Sequence, residues 1–417
     1  MRFIMVAVLI DMISIGIIVP VLPSLLAQFT TSPTEQALWY GVMAFTFSVA
    51  NFIGAPILGA LSDRYGRRRV MLVGFCGLGF NFFAMAMANQ LWILILVRML
   101  GGAFQANVAV ANAYVADISS PSQRARRFGQ LGAMFGIGFM LGPVLGGILG
   151  DIHIRLPFWV AGGFALLNLL YGIFVLPESL PLAHRRAITR TALNPLTSLR
   201  RLKRLQGVGR LVWTLALTNL ATFVMYTTWV LYTSFRFAWG PMENGWSLFA
   251  MGLASTIVQG FLLAPLLRGF SAKRLALIGL ASSALGYLGW GLATSGWVMF
   301  VVIGANLLGW TVSASLQSIV SNAADARTQG DAMGAVASLT SLMAVVAPVL
   351  GAPLMAIVAH LPAADWRVGA PMYFCALLQL TAMLCAARHF TQQPTPTTHT
   401  NNPHQQPTPT ANPLQKH

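Results

Sequence analysis

The chain has 417 residues, of which 56% are hydrophobic and only 9% are charged, and its formal net charge at pH 7 is +16. A water-soluble protein of this length needs far more charged residues to cover its surface, so the composition excludes a soluble globular protein and indicates a polytopic membrane protein. The excess of positive charge is then better explained by short basic loops that orient the chain in a membrane than by a nucleic-acid partner.

Twelve apolar segments follow one another along the chain, each long enough to cross the roughly 30 Å hydrocarbon core of a bilayer. Because only helices and closed barrels satisfy their backbone groups in lipid, segments of this length predict helices. We therefore predict an all-α integral membrane fold with twelve transmembrane helices. The predicted helices are residues 3–27, 38–61, 70–88, 91–115, 127–149, 157–177, 208–233, 244–266, 274–293, 297–320, 332–357 and 369–389.

Two charged residues lie well inside these helices and away from their ends, Asp11 in helix 1 and Arg98 in helix 4. A charged group at depth costs at least roughly 2.5–3.5 kcal/mol, so it usually faces a cavity or a partner. A carboxyl group in that position can exchange a proton during a conformational change. The alternatives are that Asp11 and Arg98 form a structural ion pair, or that Asp11 only accepts hydrogen bonds near the water-filled end of its helix, and the sequence leaves these interpretations open.

The stretch Gly59–Arg69 between helices 2 and 3 carries one acid and four arginines within eleven residues. Between two membrane-length segments this pattern predicts a tight loop, which its arginines keep on the cytoplasmic side.

Helix 5 is rich in glycine. Gly138, Gly142 and Gly146 recur at every fourth residue, and Pro143 and Gly147 lie among them. Glycine at this spacing lets a second helix approach closely, and Pro143 removes one backbone hydrogen bond. We interpret this face as a hinge at which the two halves of the protein move, with a static tight contact as the alternative.

The longest connection, residues 178–207, is basic and polar and predicts a cytoplasmic linker between two six-helix halves. The predicted domains are thus residues 1–177 and 208–390, followed by a polar tail at 391–417 whose composition predicts disorder. Only four of the 26 Lys and Arg residues, namely Arg98, Arg155, Arg236 and Arg367, lie away from the side that carries this linker. That asymmetry predicts a multi-pass protein of the cytoplasmic membrane with both termini in the cytoplasm.

The two halves repeat each other at a constant offset of 205 residues. The repeat pairs Gly74 with Gly279 and Trp92 with Trp297, and it pairs the sequence Pro-Val-Leu-Gly at 143–146 with the same sequence at 348–351. Transporters are often built from such repeats, with the substrate site between them near the middle of the bilayer.

Polar residues recur on several otherwise apolar helices. Facing a shared aqueous cavity is the least costly arrangement for such residues, and interhelical hydrogen bonds of about 0.6 kcal/mol each are the alternative. A cavity of this kind is wide and nearly uncharged, which suits a bulky amphiphile. The residues predicted to line it are Asn51, Gln105, Asn112, Asn219, Tyr226, Gln259, Trp310 and Gln317.

Several motifs resemble those of the major facilitator superfamily. Gly59, Asp63, Arg64, Gly66, Arg67 and Arg68 resemble its signature between helices 2 and 3, and Gly138, Gly142, Pro143, Gly146 and Gly147 resemble the helix 5 motif of its drug/proton antiporters. Within that group the chain is most similar to tetracycline exporters. The resemblance implies two pseudo-symmetric six-helix bundles that work by alternating access. It assigns the signature to a cytoplasmic gate, to which Asp117, Arg126 and Arg127 add a charge network.

The chain departs from tetracycline exporters at three titratable positions. Their intramembrane aspartates in helices 3 and 9 correspond to Asn81 and Ser283, and their helix 8 histidine corresponds to Ser255. The resemblance therefore leaves tetracycline itself in doubt and assigns proton coupling to Asp11 with the help of Arg98.

The leading hypothesis is a proton-coupled exporter of hydrophobic or amphiphilic small molecules. The alternatives are an uncoupled facilitator or metabolite exporter, and a membrane sensor or partner protein that does not transport. The sequence contains no HExxH, GxSxG or phosphate-loop pattern, so we do not expect an enzyme. We expect a monomer in the bilayer that binds a small molecule and protons, with no cofactor, metal or nucleic acid.

Overall fold

The computed structural model describes residues 1–185, 187–188, 209–323 and 329–392. Most of the predicted linker and the predicted tail from residue 393 onward lie outside this part of the chain. In chain order the spans are α1 (Arg2–Ile18 and Leu22–Ala27), α2 (Pro33–Tyr65), α3 (Arg67–Met87), α4 (Leu91–Gln105 and Asn107–Asp117), α5 (Pro121–Ile152), α6 (Leu156–Phe174), α7 (Gly209–Phe237), α8 (Pro241–Ile257, a π-helix at Val258–Leu262 and Leu263–Gly269), α9 (Ala272–Leu292), α10 (Gly296–Ala305, a 3-10 helix at Leu307–Thr311 and Val312–Ala323), α11 (Gln329–Val358) and α12 (Ala370–Gln392).

The predicted all-α membrane fold is confirmed. Eleven of the described helices are long and apolar enough to cross a membrane, and α10 adds a twelfth span as a pair of helices bent by 53°. Each predicted segment overlaps one of these spans, because a continuous apolar run of this length has no other stable structure in lipid.

The predicted loop at Gly59–Arg69 is wrong. Helix α2 continues to Tyr65 and α3 begins at Arg67, so Gly66 is the only residue between them. The backbone angle φ of Gly66 is +104°, a value that residues other than glycine rarely adopt. A Cβ at this position would also overlap a carboxylate oxygen of Glu178. The charged stretch is therefore a helical corner and not a flexible loop.

The 205-residue repeat has structural counterparts in both halves. In α3 and α4 a Cβ on Gly74 would overlap the Asn107 side chain, and at the same register in α9 and α10 a Cβ on Gly279 would meet Val312. One pair of residues is exchanged between the halves. Asn81 of α3 fills the space above Gly101 of α4, whereas in the second half the glycine is on α9 and Asn306 is on α10.

The glycine face of α5 packs against α1. A Cβ on Gly142 would lie 2.6 Å from the Cα of Gly16, and a Cβ on Gly146 would overlap the carbonyl oxygen of Ile17. Both helices belong to the first half, so this close contact stabilises that half internally. The second helix that approaches these glycines is α1, so Gly142 and Gly146 do not themselves lie between the two halves, and the hinge stays a prediction.

Candidate functional site

The two halves meet at the end of the bundle opposite Gly66. There, the ideal Cβ position of Gly147 on α5 lies 3.3 Å from the Cα of Gly245 on α8, and Gly41 on α2 touches Ala352 on α11. We call these two contacts the outer contacts. Of the residues in the helix 5 motif, Gly147 is thus one that lies between the halves.

The opposite arrangement holds at the end that carries Gly66, which we call the basic end. Gly59 on α2, Gly129 and Gly132 on α5 and Gly334 on α11 would each accept a Cβ without meeting any atom of the described residues within 4 Å. Within the described part of the chain, the halves are therefore in contact at one end and apart at these positions of the basic end, which leaves a cleft there.

A polar cavity of about 200 Å³ lies inside the second half. Gln259 and Trp310, both predicted as cavity residues, line it. Gln259 donates a hydrogen bond to Ser255 (2.7 Å), and the indole Nε1 of Trp310 is buried with no hydrogen-bond partner in the described structure. The other polar side chains that line the cavity are Thr218, Thr222, Ser255, Ser283, Tyr287, Asn306, Ser313 and Gln379.

The polar groups of this cavity are all neutral, and Ser255 and Ser283 are among them. These are two of the positions at which the sequence differs from tetracycline exporters. The π-helix that carries Gln259 and the bend of α10 near Trp310 help to form the cavity walls. Sequence analysis missed both features, because hydropathy gives no signal for an irregular turn within an apolar helix.

Tyr226 lies in a second cavity of about 560 Å³, between α5 and α8. Its ring packs edge-on against Phe139 of α5, with 6.4 Å between the ring centroids. Ser255 and Gln259 line this cavity as well as the polar cavity, so the two spaces adjoin at these side chains.

The other predicted cavity residues do not line these two cavities. The Asn51 amide donates to the carbonyl oxygen of Gly102 (3.2 Å), and Asn219 donates to Thr340 of α11 (3.0 Å). These two residues form the interhelical hydrogen bonds that were the alternative interpretation. Asn112 bonds within its own helix to Val108, Gln105 ends the first segment of α4, and Gln317 is exposed.

Asp11 and Arg98 do not form an ion pair, although the structure describes both side chains. Asp11 is 6% exposed and has no hydrogen-bond or ion-pair partner among the described residues. The Arg98 guanidinium instead stacks on Phe47 of α2, with 3.9 Å from its Cζ to the ring centroid. The structural ion pair between Asp11 and Arg98, one of the interpretations left open by the sequence, is therefore not formed in this conformation.

Arg67 is the centre of an ion-pair network at the basic end. Its guanidinium contacts Asp63 at 2.6 Å and Asp117 at 3.0 Å, and it also donates to Ser62 (2.6 Å). These contacts tie the end of α2 to the start of α3 and the end of α4. Asp63, Arg67 and Asp117, which the sequence assigned to one gate, are therefore brought together.

Four other predicted gate arginines lie outside that network. Arg68 donates to the carbonyl oxygens of Gly172 and Ile173 at the end of α6, and Arg64 lies over the ring of Tyr65. Arg127 donates to Ile118 and Gln123. The last, Arg126, is exposed and forms no ion pair with Asp63 or Asp117, all three of which are described. Arg126 and Arg127 therefore take no part in the Arg67 network in this conformation, and the charge network that the resemblance assigns to them in the outward-open state stays a prediction.

Glu178, which no sequence pattern singled out, anchors the residues that follow α6 to the start of α3. Its carboxylate accepts the backbone N–H groups of Arg67 (2.8 Å) and Arg68 (3.4 Å), which are unpaired donors at the first turn of α3. Ser179 next to it donates to Asp117 (3.2 Å). One feature of the sequence could have pointed to Glu178, since it is the sole acidic residue in the sequence 178–207.

Comparisons with known proteins all lead to membrane transporters of one superfamily. The family model described as Major Facilitator Superfamily matches residues 4–348. The chain is 36% identical to a class C tetracycline resistance protein of Escherichia coli over 89% of this chain and 93% of the relative. It is 32% identical to a class D tetracycline resistance protein of Salmonella ordonez, over 92% and 98%. The crystal structure of the human organic anion transporter MFSD10 (TETRAN) is similar with a TM-score of 0.69 and 25% identity, covering 92% of this chain and 98% of that one.

Proposed function

This chain belongs to the major facilitator superfamily, and we propose that it exports hydrophobic or amphiphilic small molecules in exchange for protons. The family is one of membrane transporters and not of enzymes. The observation that carries the proton-exchange part is the environment of Asp11, a carboxyl group within a membrane span that has no partner among the described residues. Such a group can bind and release a proton without first breaking an ion pair.

The arrangement of the halves supports alternating access. With the outer contacts closed and the basic end open, a substrate entering the cleft reaches Gln259 and Trp310 from one side only. The predominance of Lys and Arg at the basic end supports a cytoplasmic position for that end and for both termini, in line with the positive-inside rule. Loading from the cytoplasm followed by opening of the outer contacts amounts to export.

The chemistry of the cavities supports a neutral or amphiphilic substrate. Hydroxyl, amide and indole groups line the polar cavity, and aromatic and aliphatic side chains line much of the space next to it. Both features suit a molecule with an apolar body and a few hydrogen-bonding groups. The similarity to tetracycline resistance proteins supports efflux of this kind. Because Ser255 and Ser283 are neutral, the polar cavity has no fixed charge that would bind a cationic substrate.

The direct test is uptake into inverted membrane vesicles, whose lumen corresponds to the outside of the cell. A panel of lipophilic dyes and antibiotics is added to vesicles with an imposed proton gradient, and the gradient is then collapsed with a protonophore. We expect at least one compound to be transported only while the gradient is present. Transport that is unaffected by the protonophore would contradict proton exchange and favour an uncoupled facilitator.

A second candidate function is the transport of organic anions, which is what the human relative of similar structure is said to carry. The observation that favours it is Arg98, whose guanidinium has no acidic partner among the described residues and whose Nε is buried without a hydrogen bond. The same vesicle panel discriminates between the two candidates if it includes a fluorescent aromatic carboxylate and its neutral ester. Preference for the carboxylate favours the second candidate.

A further inference from the structure

The helices α5 and α8 cross from opposite halves and diverge toward the basic end. Gly147 packs on Gly245 at the outer contacts, and nearer the middle Gly252 of α8 packs on Met140 of α5. Further along α5, Gly136 and Gly132 would accept a Cβ with no atom within 4 Å. The space between the two helices at this end is the 560 Å³ cavity that Tyr226 lines.

We call this space the α5–α8 cleft. On α5 it is lined largely by glycine and alanine, so the backbone itself forms one wall. On α8 the facing residues include Thr256 and Gln259, both of which are exposed although they lie within a membrane-length span. Exposed polar side chains at this depth are costly against lipid tails and favourable against a ligand or water.

The π-helix at Val258–Leu262 coincides with the point at which the cleft joins the polar cavity. Single π-turns inside α-helices are frequent at functional sites, because the extra residue shifts the side chains that follow it. Gln259 lies in this π-turn and, together with Ser255, lines both spaces. The two spaces therefore adjoin, with neutral hydrogen-bonding groups between them.

We propose that the α5–α8 cleft is a lateral portal, through which amphiphilic molecules pass from the bilayer leaflet at the basic end into the polar cavity. The proposal rests on the proposed export function and specifies its substrate. The cleft has the volume of a site for a drug-sized molecule. Its glycine wall suits a flat apolar body, and Gln259 and Ser255 suit an uncharged hydrogen-bonding group that leads into the polar cavity.

Passage through the portal is tested with bulky substitutions at glycines where the structure has room for a side chain. Gly132→Phe and Gly136→Phe place a ring in the cleft. Gly163→Phe on α6 is the matched control, since Gly163 also has no atom within 4 Å of an added Cβ but lies outside the cleft. For a lipophilic neutral dye, we expect the two cleft variants to export at least tenfold more slowly than wild type and the control to export at the wild-type rate.

A binding measurement separates portal blockage from blocked gate movement. Wild type and variants in lipid nanodiscs are irradiated with a neutral amphiphile that carries a diazirine in its apolar body, and the labelled peptides are mapped by mass spectrometry. Equilibrium labelling requires no turnover. We expect label on α8 between Gly252 and Gly260 in wild type and in Gly163→Phe, and at least a fivefold loss of that label in Gly132→Phe.

The outcomes separate the two proposals. Label on α8 that is unchanged in Gly132→Phe, or label that lies on other helices only, overturns the portal even if the protein exports. The portal is also overturned if Gly132→Phe and Gly136→Phe both export the dye at the wild-type rate. If wild type exports none of the panel, the export function fails, and the labelling result alone then decides whether amphiphiles occupy the cleft.

Discussion

Arg98 of α4 stacks on Phe47 of α2, with its guanidinium carbon 3.9 Å from the ring centroid. The contact gives the cation a partner inside the first half and leaves Asp11 of α1 without one among the described residues. The two intramembrane charges are therefore separate features, and each can be altered without removing a direct partner of the other.

Replacing Phe47 with leucine removes the ring under Arg98 and leaves the cation buried. A desolvated cation–π contact is worth about 2 kcal/mol, so we expect a lower melting temperature for Phe47→Leu in detergent. Phe45→Leu is the matched control, because Phe45 is exposed on the same helix and has no aromatic or cation partner in the described structure. Equal melting temperatures for the two variants would show that the stacking contributes nothing.

Glycine is required at the corner between α2 and α3. Gly66→Ala forces a side chain into φ +104° and toward Glu178, a strain of about 1–3 kcal/mol, so we expect a lower yield of folded protein and a lower melting temperature. Gly59→Ala belongs to the same motif but meets no atom within 4 Å, and we expect wild-type yield or better. The reverse order of the two yields would contradict the described corner.

If the ion pairs of Arg67 form part of the proposed gate, removing one of them should slow transport. Asp117→Asn weakens a charge-assisted hydrogen bond to a largely buried arginine, a loss of about 1.5–3 kcal/mol, and we expect transport to fall by about tenfold or more with normal membrane insertion. Arg69→Gln, at an exposed position of the same stretch, serves as the control. Wild-type transport in Asp117→Asn would remove Asp117 from the proposed gate.

Gly147 and Gly146 are adjacent in sequence and differ in their contacts. A valine at Gly147 meets Gly245 and prevents the halves from closing at the outer contacts, so we expect a folded protein whose outer end stays open. A valine at Gly146 overlaps the backbone of Ile17 within one half, and we expect loss of folded protein. Spin-label distances between the outer ends of α5 and α8 check the first variant, and size-exclusion profiles check the second. A wild-type distance distribution in Gly147→Val contradicts the outer contacts.

Hydropathy was sufficient to predict all twelve spans, because length and apolarity alone decide what is stable in lipid. It gave no information on side-chain partners, which depend on how the helices pack. For this reason the sequence could not assign Arg98 to Phe47, place Gly142 against α1, or separate Asn51 and Asn219 from Gln259 and Trp310. The anchoring role of Glu178 likewise arises from tertiary contacts, and the π-helix in α8 has no signal in hydropathy.

The central claim is that Asp11 carries the exchanged proton, and proton flux measured together with substrate flux tests it most directly. Purified protein is reconstituted into proteoliposomes that contain a pH-sensitive dye, and an exported substrate from the vesicle panel is added. Asp151→Asn, which neutralises an exposed acid at the end of α5, is the control. We predict substrate-induced proton movement in wild type and Asp151→Asn and its absence in Asp11→Asn, which keeps substrate exchange without a gradient. Substrate-induced proton movement at the wild-type rate in Asp11→Asn would contradict the account.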